Sequence, residues 1–170
     1  MNREIDWPLL WRTVSDQFPL GHESTHGPAH WRRVERNGLL LASRTGADTT
    51  VVRLFAVFHD SRRENENTDP EHGLRGAALA TQFRGTYFDL EDDAFDKLVH
   101  ACTWHTEEPS HSDPTIGTCF DADRLDLGRV GIIPSEEYMS TEFGREIARF
   151  GSVQPFLPPQ GLGMNEVRQS

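Results

Sequence analysis

The feature that most constrains this chain is a short apolar run, Phe55 to Phe58, that ends in the pair His59-Asp60. Apolar residues on every side of a helix predict that the helix is buried in the core. A charged side chain is costly to bury unless it is paired or binds a metal. Adjacent helical residues point about 100° apart, so both can reach one ion only near the helix end. The remaining ligands must then come from other parts of the chain.

The rest of the pattern predicts helices and no convincing strand. Apolar periodicity, N-caps such as Asp48 and stops such as Gly46 predict an all-α domain over residues 1–150. Residues 151–170, rich in Pro and Gly, are expected to form an irregular C-terminal tail. The predicted helices span 5–18, 28–44, 48–59, 70–83, 90–105, 120–128 and 135–150, with a loop over Glu107 to Thr118.

Length and composition limit the classes of function. The chain of 170 residues is long enough for one domain with a sizeable core. The net charge of -10 argues against a nucleic-acid polymer as partner. We expect neither a membrane span nor a secretory signal, and the 2 cysteines favour a reducing, cytoplasmic location. The oligomeric state stays open, with a homodimer among the alternatives.

Histidines and carboxylates recur near predicted helix ends, where several helices can converge on one point. These residues are His26, His30, His59, Asp60, His72, His105, Asp121 and Asp123. Imidazole with carboxylate, and without clustered cysteines, favours a divalent transition metal: Mn, Fe, Ni, Co or Zn. The number of ions, one or two, is left open.

Three segments in this order resemble the motifs of the HD-domain metalloprotein superfamily. They are His30-Trp31-Arg32-Arg33-Val34, Phe58-His59-Asp60 and Ala122-Asp123-Arg124-Leu125. The resemblance implies a single compact helical bundle whose ligands converge from helix ends, with His30, His59, Asp60 and Asp123 on one metal. Asp123 is preferred to Asp121 because the family places its ligand between Ala and Arg-Leu.

Two further matches concern a second ion. The segment Glu71 to Ala77 resembles the part of dinuclear HD proteins that supplies an extra His, here His72. His105 lies where those proteins provide another. If these two residues do not hold an ion, they are expected to contact a phosphate or support the ligands.

Charged residues near these motifs complete the candidate site. Asp60, His72, His105 and Arg63 are the candidate catalytic residues, and Arg33, Arg62 and His26 the candidate substrate-binding residues. Arg33 is also expected to pair with a carboxylate near the metal. Arg124 and Asp126 are expected to pair with each other, because they lie within one turn.

The leading hypothesis is a metal-dependent phosphohydrolase that acts through a metal-activated water on a small phosphorylated compound, with nucleotides among the candidates. The resemblance carries most of this hypothesis, since a fold does not fix a substrate. The first alternative is a diiron oxygenase of the HD type, in which six His and Asp residues hold two irons. The second alternative is a non-catalytic sensor of a metal or a nucleotide.

Overall fold

Helices make up the regular structure of residues 4–159, which the computed structural model describes. Within that range there are seven α-helices and no strand, so the predicted all-α class is confirmed. The helices are α1 (Trp7–Asp16), α2 (Pro28–Thr45), α3 (Thr49–Phe58), α4 (His72–Phe83), α5 (Asp92–Trp104), α6 (Pro114–Arg124) and α7 (Glu142–Phe150). Short 3-10 helices span Leu127–Val130, Glu136–Tyr138 and Gln154–Phe156. No helix in this range has both the length and the apolar character needed to cross a membrane.

Helix α3 lies at the centre of the bundle. Its residues Val51, Val52 and 54–58 are fully buried, and the helix packs against α1, α2, α4, α5 and α6. Asp48 begins the helix, because its carboxylate accepts hydrogen bonds from the backbone amides of Thr50 and Val51. His59 and Asp60 therefore lie in the core, directly after the last residue of its central helix.

Two predicted segments differ from the structure. The stretch predicted as a loop up to Thr118 instead contains the first half of α6, which Asp113 caps by accepting from the amides of Thr115 and Ile116. The single helix predicted over 135–150 is divided into the 3-10 helix Glu136–Tyr138 and α7.

The described part of the predicted tail packs on the last helix. The ring of Phe156 lies 5.8 Å from that of Phe143 and 5.6 Å from that of Phe150, measured between ring centroids. These contacts place the 3-10 helix Gln154–Phe156 against α7. Residues 160–170 of the predicted tail lie outside the described part of the chain.

Candidate metal centre

Six buried or nearly buried side chains meet at the C-terminal end of α3. They come from five helices or helix ends: His30, His59, Asp60, His72, His105 and Asp123. His30 is in the first turn of α2, His72 is the first residue of α4, and His105 follows the last residue of α5. The structure thus brings together all the residues that the sequence proposed as metal ligands.

The first group of ligands surrounds one oxygen of Asp60. The Nε2 atom of His30 lies 3.1 Å from Nε2 of His59 and 3.1 Å from Oδ1 of Asp123. Oδ2 of Asp60 is 3.5 Å from Nε2 of His30 and 3.7 Å from Nε2 of His59. Two imidazoles and two carboxylates therefore offer their ligand atoms to one small volume.

The second group faces the other oxygen of Asp60. Oδ1 of this carboxylate lies 3.2 Å from Nε2 of His72 and 3.6 Å from Nε2 of His105. The two Nε2 atoms are 3.0 Å apart. The two oxygens of Asp60 therefore face two different groups of potential ligands.

Hydrogen bonds fix the tautomers of the first two imidazoles. Nδ1 of His30 lies 2.7 Å from Oδ2 of Asp126, and Nδ1 of His59 lies 3.1 Å from the carbonyl oxygens of Phe55 and Ala56. Carboxylate and carbonyl oxygens only accept, so each Nδ1 must carry the proton and donate it. In the neutral rings, both Nε2 atoms then present a lone pair to the centre.

The tautomers of His72 and His105 are fixed in the same way, by carbonyl oxygens that accept from Nδ1. Nδ1 of His72 lies 2.5 Å from the carbonyl oxygen of Asp69, and Nδ1 of His105 lies 2.7 Å from that of Cys102. Both Nε2 atoms therefore present lone pairs as well. Four imidazole nitrogens and the Asp60 carboxylate all face one another as acceptors, which is unfavourable in a buried site unless a cation is bound. This donor set fits a divalent metal ion.

The pKa values of Asp60, Asp123 and His30 are shifted by the charges that these buried groups place on one another. Burial alone would raise the pKa of the Asp60 carboxyl, but the imidazoles around it hold that pKa well below its usual range. The pKa of Asp123 is held well below its usual range by His30 and His59, again against the effect of burial. Burial lowers the pKa of His30, but Asp123 and Asp126 outweigh it and raise the pKa above its ordinary value.

Close helix packing places the second pair of imidazoles. A Cβ atom at Gly76 would collide with the carbonyl oxygen of Phe58 and lie 3.1 Å from that of His59, and one at Gly73 would collide with the carbonyl oxygen of Cys102. Only glycine lets the backbone of α4 approach both the end of α3 and α5 this closely. The first turn of α4, with its His72, is thereby held next to Asp60.

Two further predicted residues border the centre. Nδ1 of His26 lies 3.3 Å from Oδ2 of Asp60, and its Nε2 lies 3.3 Å from the carbonyl oxygen of Glu66. The Nε atom of Arg63 lies 3.4 Å from Oδ1 of Asp60, and its Nη1 donates to the carbonyl oxygen of Asn67. Both side chains line the cleft above the ligands.

Three predicted arginine roles are not realised at the cleft. Nη1 of Arg62 lies 3.5 Å from the carbonyl oxygen of Gln17, and the side chain lines a different groove. Arg33 donates from Nε to Oδ1 of Asp126 at 2.8 Å and does not line the cleft, so it pairs with a carboxylate and is not placed to bind substrate. Arg124 does not pair with Asp126, because its guanidinium donates to backbone carbonyls instead.

Sequence reasoning missed the structural role of Asp121. This buried carboxylate accepts from the amides of Ser140 and Thr141 and from the Thr141 hydroxyl, and so anchors the start of α7. Burial raises its pKa despite these bonds. The only sequence signal was its place two residues before Asp123, on a different side of the same helix.

A separate group, His100, Glu108 and His111, also brings potential ligands together. Nε2 of His100 lies 2.9 Å from Oε1 of Glu108. The backbone amide of Asp113 donates to Nδ1 of His111, so the proton of the neutral ring is on Nε2. This group therefore lacks the set of free lone pairs that distinguishes the central site.

The cleft that opens onto the centre has a volume of about 530 Å³, within the range of about 300–1,000 Å³ that is common for small-molecule sites. His26, Asp60, Arg63, His105 and Asp123 form its polar floor. The segment between α6 and α7 forms its outer wall.

Comparison with solved structures gives one similar protein. The crystal structure of a predicted HD superfamily hydrolase from an uncultured Thermotogales bacterium is 26% identical in sequence, with a TM-score of 0.67. The similarity covers 85% of this chain and 84% of that one. No protein-family model and no curated protein matches the chain. The similarity confirms the resemblance to the HD superfamily, and together with the buried His and Asp groups it supports a metal-dependent hydrolase of the HD type.

Proposed function

We propose that this protein with the HD fold is a metal-dependent phosphohydrolase that acts on a small phosphorylated compound. The observation that carries the proposal is the inward-facing set of Nε2 lone pairs around Asp60, which a bound divalent cation would satisfy. His30, His59, Asp60 and Asp123 would hold the first ion. The cleft above them is of small-molecule size, which favours a compact substrate over a polymer.

Each residue of the floor has a role in this proposal. A divalent ion, when bound, lowers the pKa of a coordinated water toward neutrality and polarises a phosphoryl oxygen. Asp60 would orient that water, because its carboxylate lies between the two groups of ligands. Arg63 would place positive charge beside the phosphoryl group, since its Nη2 has no hydrogen-bond partner within residues 4–159.

His72 and His105 are better suited to a second ion than to the phosphate itself. Their Nδ1 atoms carry the protons, so the neutral rings have no Nε2–H to donate to a phosphoryl oxygen. With Oδ1 of Asp60 they form a second set of three ligand atoms. A dinuclear hydrolase is therefore part of the proposal.

The same second group favours one other function. A diiron oxygenase of the HD type would use all six residues, and the other five lie around Asp60. Both functions need the same ligands and differ in the identity of the metal and in the reaction catalysed.

The test combines metal analysis with turnover. The purified protein, His72→Ala, His30→Ala and the control His22→Ala, an exposed histidine outside the cleft, would be analysed for metals and assayed on a panel of phosphomonoesters. Phosphate release that is lost in His30→Ala and kept in His22→Ala supports the hydrolase. Two irons per chain with oxygen consumption and no phosphate release would favour the oxygenase. Tight metal binding with neither reaction would indicate a sensor.

A further inference from the structure

The outer wall of the cleft is apolar although it lies at the protein surface. Ile133 is 80% exposed, Tyr138 53% and Ile132 51%, and all three line the same cleft as the metal ligands. Leu127, Val130 and Met139 extend this wall. Large apolar side chains gathered around a functional cleft are typical of a binding surface.

Hydrogen bonds from buried or half-buried groups hold this wall in place. The guanidinium of Arg124 donates to the carbonyl oxygens of Pro109 and Tyr138, which both line the cleft. Just beyond the wall, Asp121 accepts from the amide of Ser140. The segment between α6 and α7 is thus fixed at its end next to α7, and its apolar side chains line the cleft that contains the metal centre.

The charges of the cleft are suited to a single phosphoryl group. Among the residues that line it, three are cations: Arg63, Arg124 and Arg129. Arg124 is engaged with backbone carbonyls, and Arg129 donates to the carbonyl oxygens of Thr25 and Asp126. Arg63 is the one of these three that contacts Asp60 at the metal centre. Two carboxylates outside the centre, Glu107 and Glu108, line the same cleft and would repel the further negative charge of a chain of phosphates.

We infer that the substrate is a phosphomonoester of an apolar alcohol, whose organic part lies against Ile132, Ile133 and Tyr138. This inference rests on the proposed phosphohydrolase function and adds the class of its substrate. Hydrolysis forms a bond from the water oxygen to phosphorus and breaks the ester P–O bond. The products are inorganic phosphate and the alcohol, whose oxygen takes up a proton from the water.

The test compares two esters of primary alcohols, so that the leaving groups are similar. Benzyl phosphate carries an apolar ring and glucose 6-phosphate a polar one. We expect kcat/KM for benzyl phosphate to be higher by about ten-fold or more, the discrimination that apolar contacts typically give. In Ile132→Asn/Ile133→Asn this preference falls to about two-fold or less, mainly through a higher KM for benzyl phosphate. Leu39→Asn, which changes an exposed apolar residue of α2 outside the cleft, is the control.

A binding measurement separates this inference from the hydrolase proposal. Benzylphosphonate and methylphosphonate, which are not hydrolysed, would be titrated into the metal-loaded parent and double variant. Tighter binding of benzylphosphonate that is lost in the double variant supports the apolar wall, even if no ester is hydrolysed and the hydrolase proposal fails. Equal kcat/KM for the two esters, with equal binding of the two phosphonates, overturns the inference while the hydrolase stands. If the protein neither binds the phosphonates nor hydrolyses the esters, both the inference and the hydrolase proposal are overturned.

Discussion

Removal of the Asp126 carboxylate tests whether the inward-facing lone pairs hold a metal. Asp126 accepts from Nδ1 of His30 at 2.7 Å and from Nε of Arg33 at 2.8 Å, and so fixes the ring that begins the first ligand group. Loss of such a partner typically weakens metal affinity by about 10–100-fold. For Asp126→Ala, which leaves the buried Nδ1–H of His30 without an acceptor, we expect the upper end, about 2.8 kcal/mol.

Asp126→Asn should lose less. The amide oxygen can still accept from His30, but the amide nitrogen then faces the donor Nε of Arg33, so one of the two bonds is lost. We expect a loss of about ten-fold, or 1.4 kcal/mol. Competition titration of Zn²⁺ or Co²⁺ against a chelator measures both variants. Glu35→Gln is the matched control, because Glu35 makes a carboxylate–arginine pair with Arg53 at 2.9 Å and does not line the cleft.

Metal binding by Asp126→Ala that is as tight as in the parent, with the variant folded by circular dichroism, would refute this prediction. In that case the tautomer of His30 does not depend on Asp126, and the convergence of lone pairs does not set metal affinity. A loss of the same size in Glu35→Gln would also refute it, since the effect would then be one of general stability.

Three further variants test the supports of the site by urea unfolding. Gly76→Ala drives a Cβ atom into the carbonyl oxygen of Phe58. We expect this overpacking to cost about 1–3 kcal/mol, of which the higher helix propensity of Ala recovers about 1 kcal/mol. An increase in stability would contradict the close packing of α4 on the end of α3. Asp113→Ala removes the cap of α6 and should cost about 1 kcal/mol at pH 7. Burial raises the pKa of Asp113, but bonds from backbone amides and Lys97 outweigh burial and lower that pKa. The stability difference between the parent and Asp113→Ala is therefore fully present above pH 3.8 and disappears as the pH falls through the lowered pKa. Asp121→Ala leaves buried donors at the start of α7 unpaired and should cost about 1–3 kcal/mol, whereas an unchanged unfolding midpoint would show that water replaces the carboxylate.

Local signals defined most of the fold, and long-range contacts account for the rest. Helix α2 was predicted to within one residue of its end, because Pro28 at its start and Gly46 after its end act through local backbone geometry. The first half of α6 was predicted as a loop because it is rich in Thr and Gly. Its Gly117 is required by packing: a Cβ atom there would lie 2.8 Å from that of Ser140 and 2.9 Å from the carbonyl oxygen of His111. Small residues in this segment reflect close contact across the bundle.

The proposed ligands could be identified from sequence motifs, but the groups that orient them could not. His59, His72 and His105 donate from Nδ1 to backbone carbonyl oxygens, and every residue carries such an oxygen. No residue type therefore marks these contacts. Asp126 was noticed because it lies within a turn of Arg124, yet it pairs with Arg33 and His30, which precede it by more than 90 positions. Only the assembled bundle shows which cation reaches it.

The position of the His-Asp pair explains why the site divides into two groups. Adjacent residues at a helix end point about 100° apart, so His59 reaches only the first group, where its Nε2 lies 3.1 Å from that of His30. Asp60 points between the groups, and its two oxygens are 3.5 Å from His30 and 3.2 Å from His72. A carboxylate can serve two ions through its two oxygens, whereas an amide has only one oxygen to offer. Asp60→Asn should therefore disturb both groups at once, while any one of the four histidines affects its own group first.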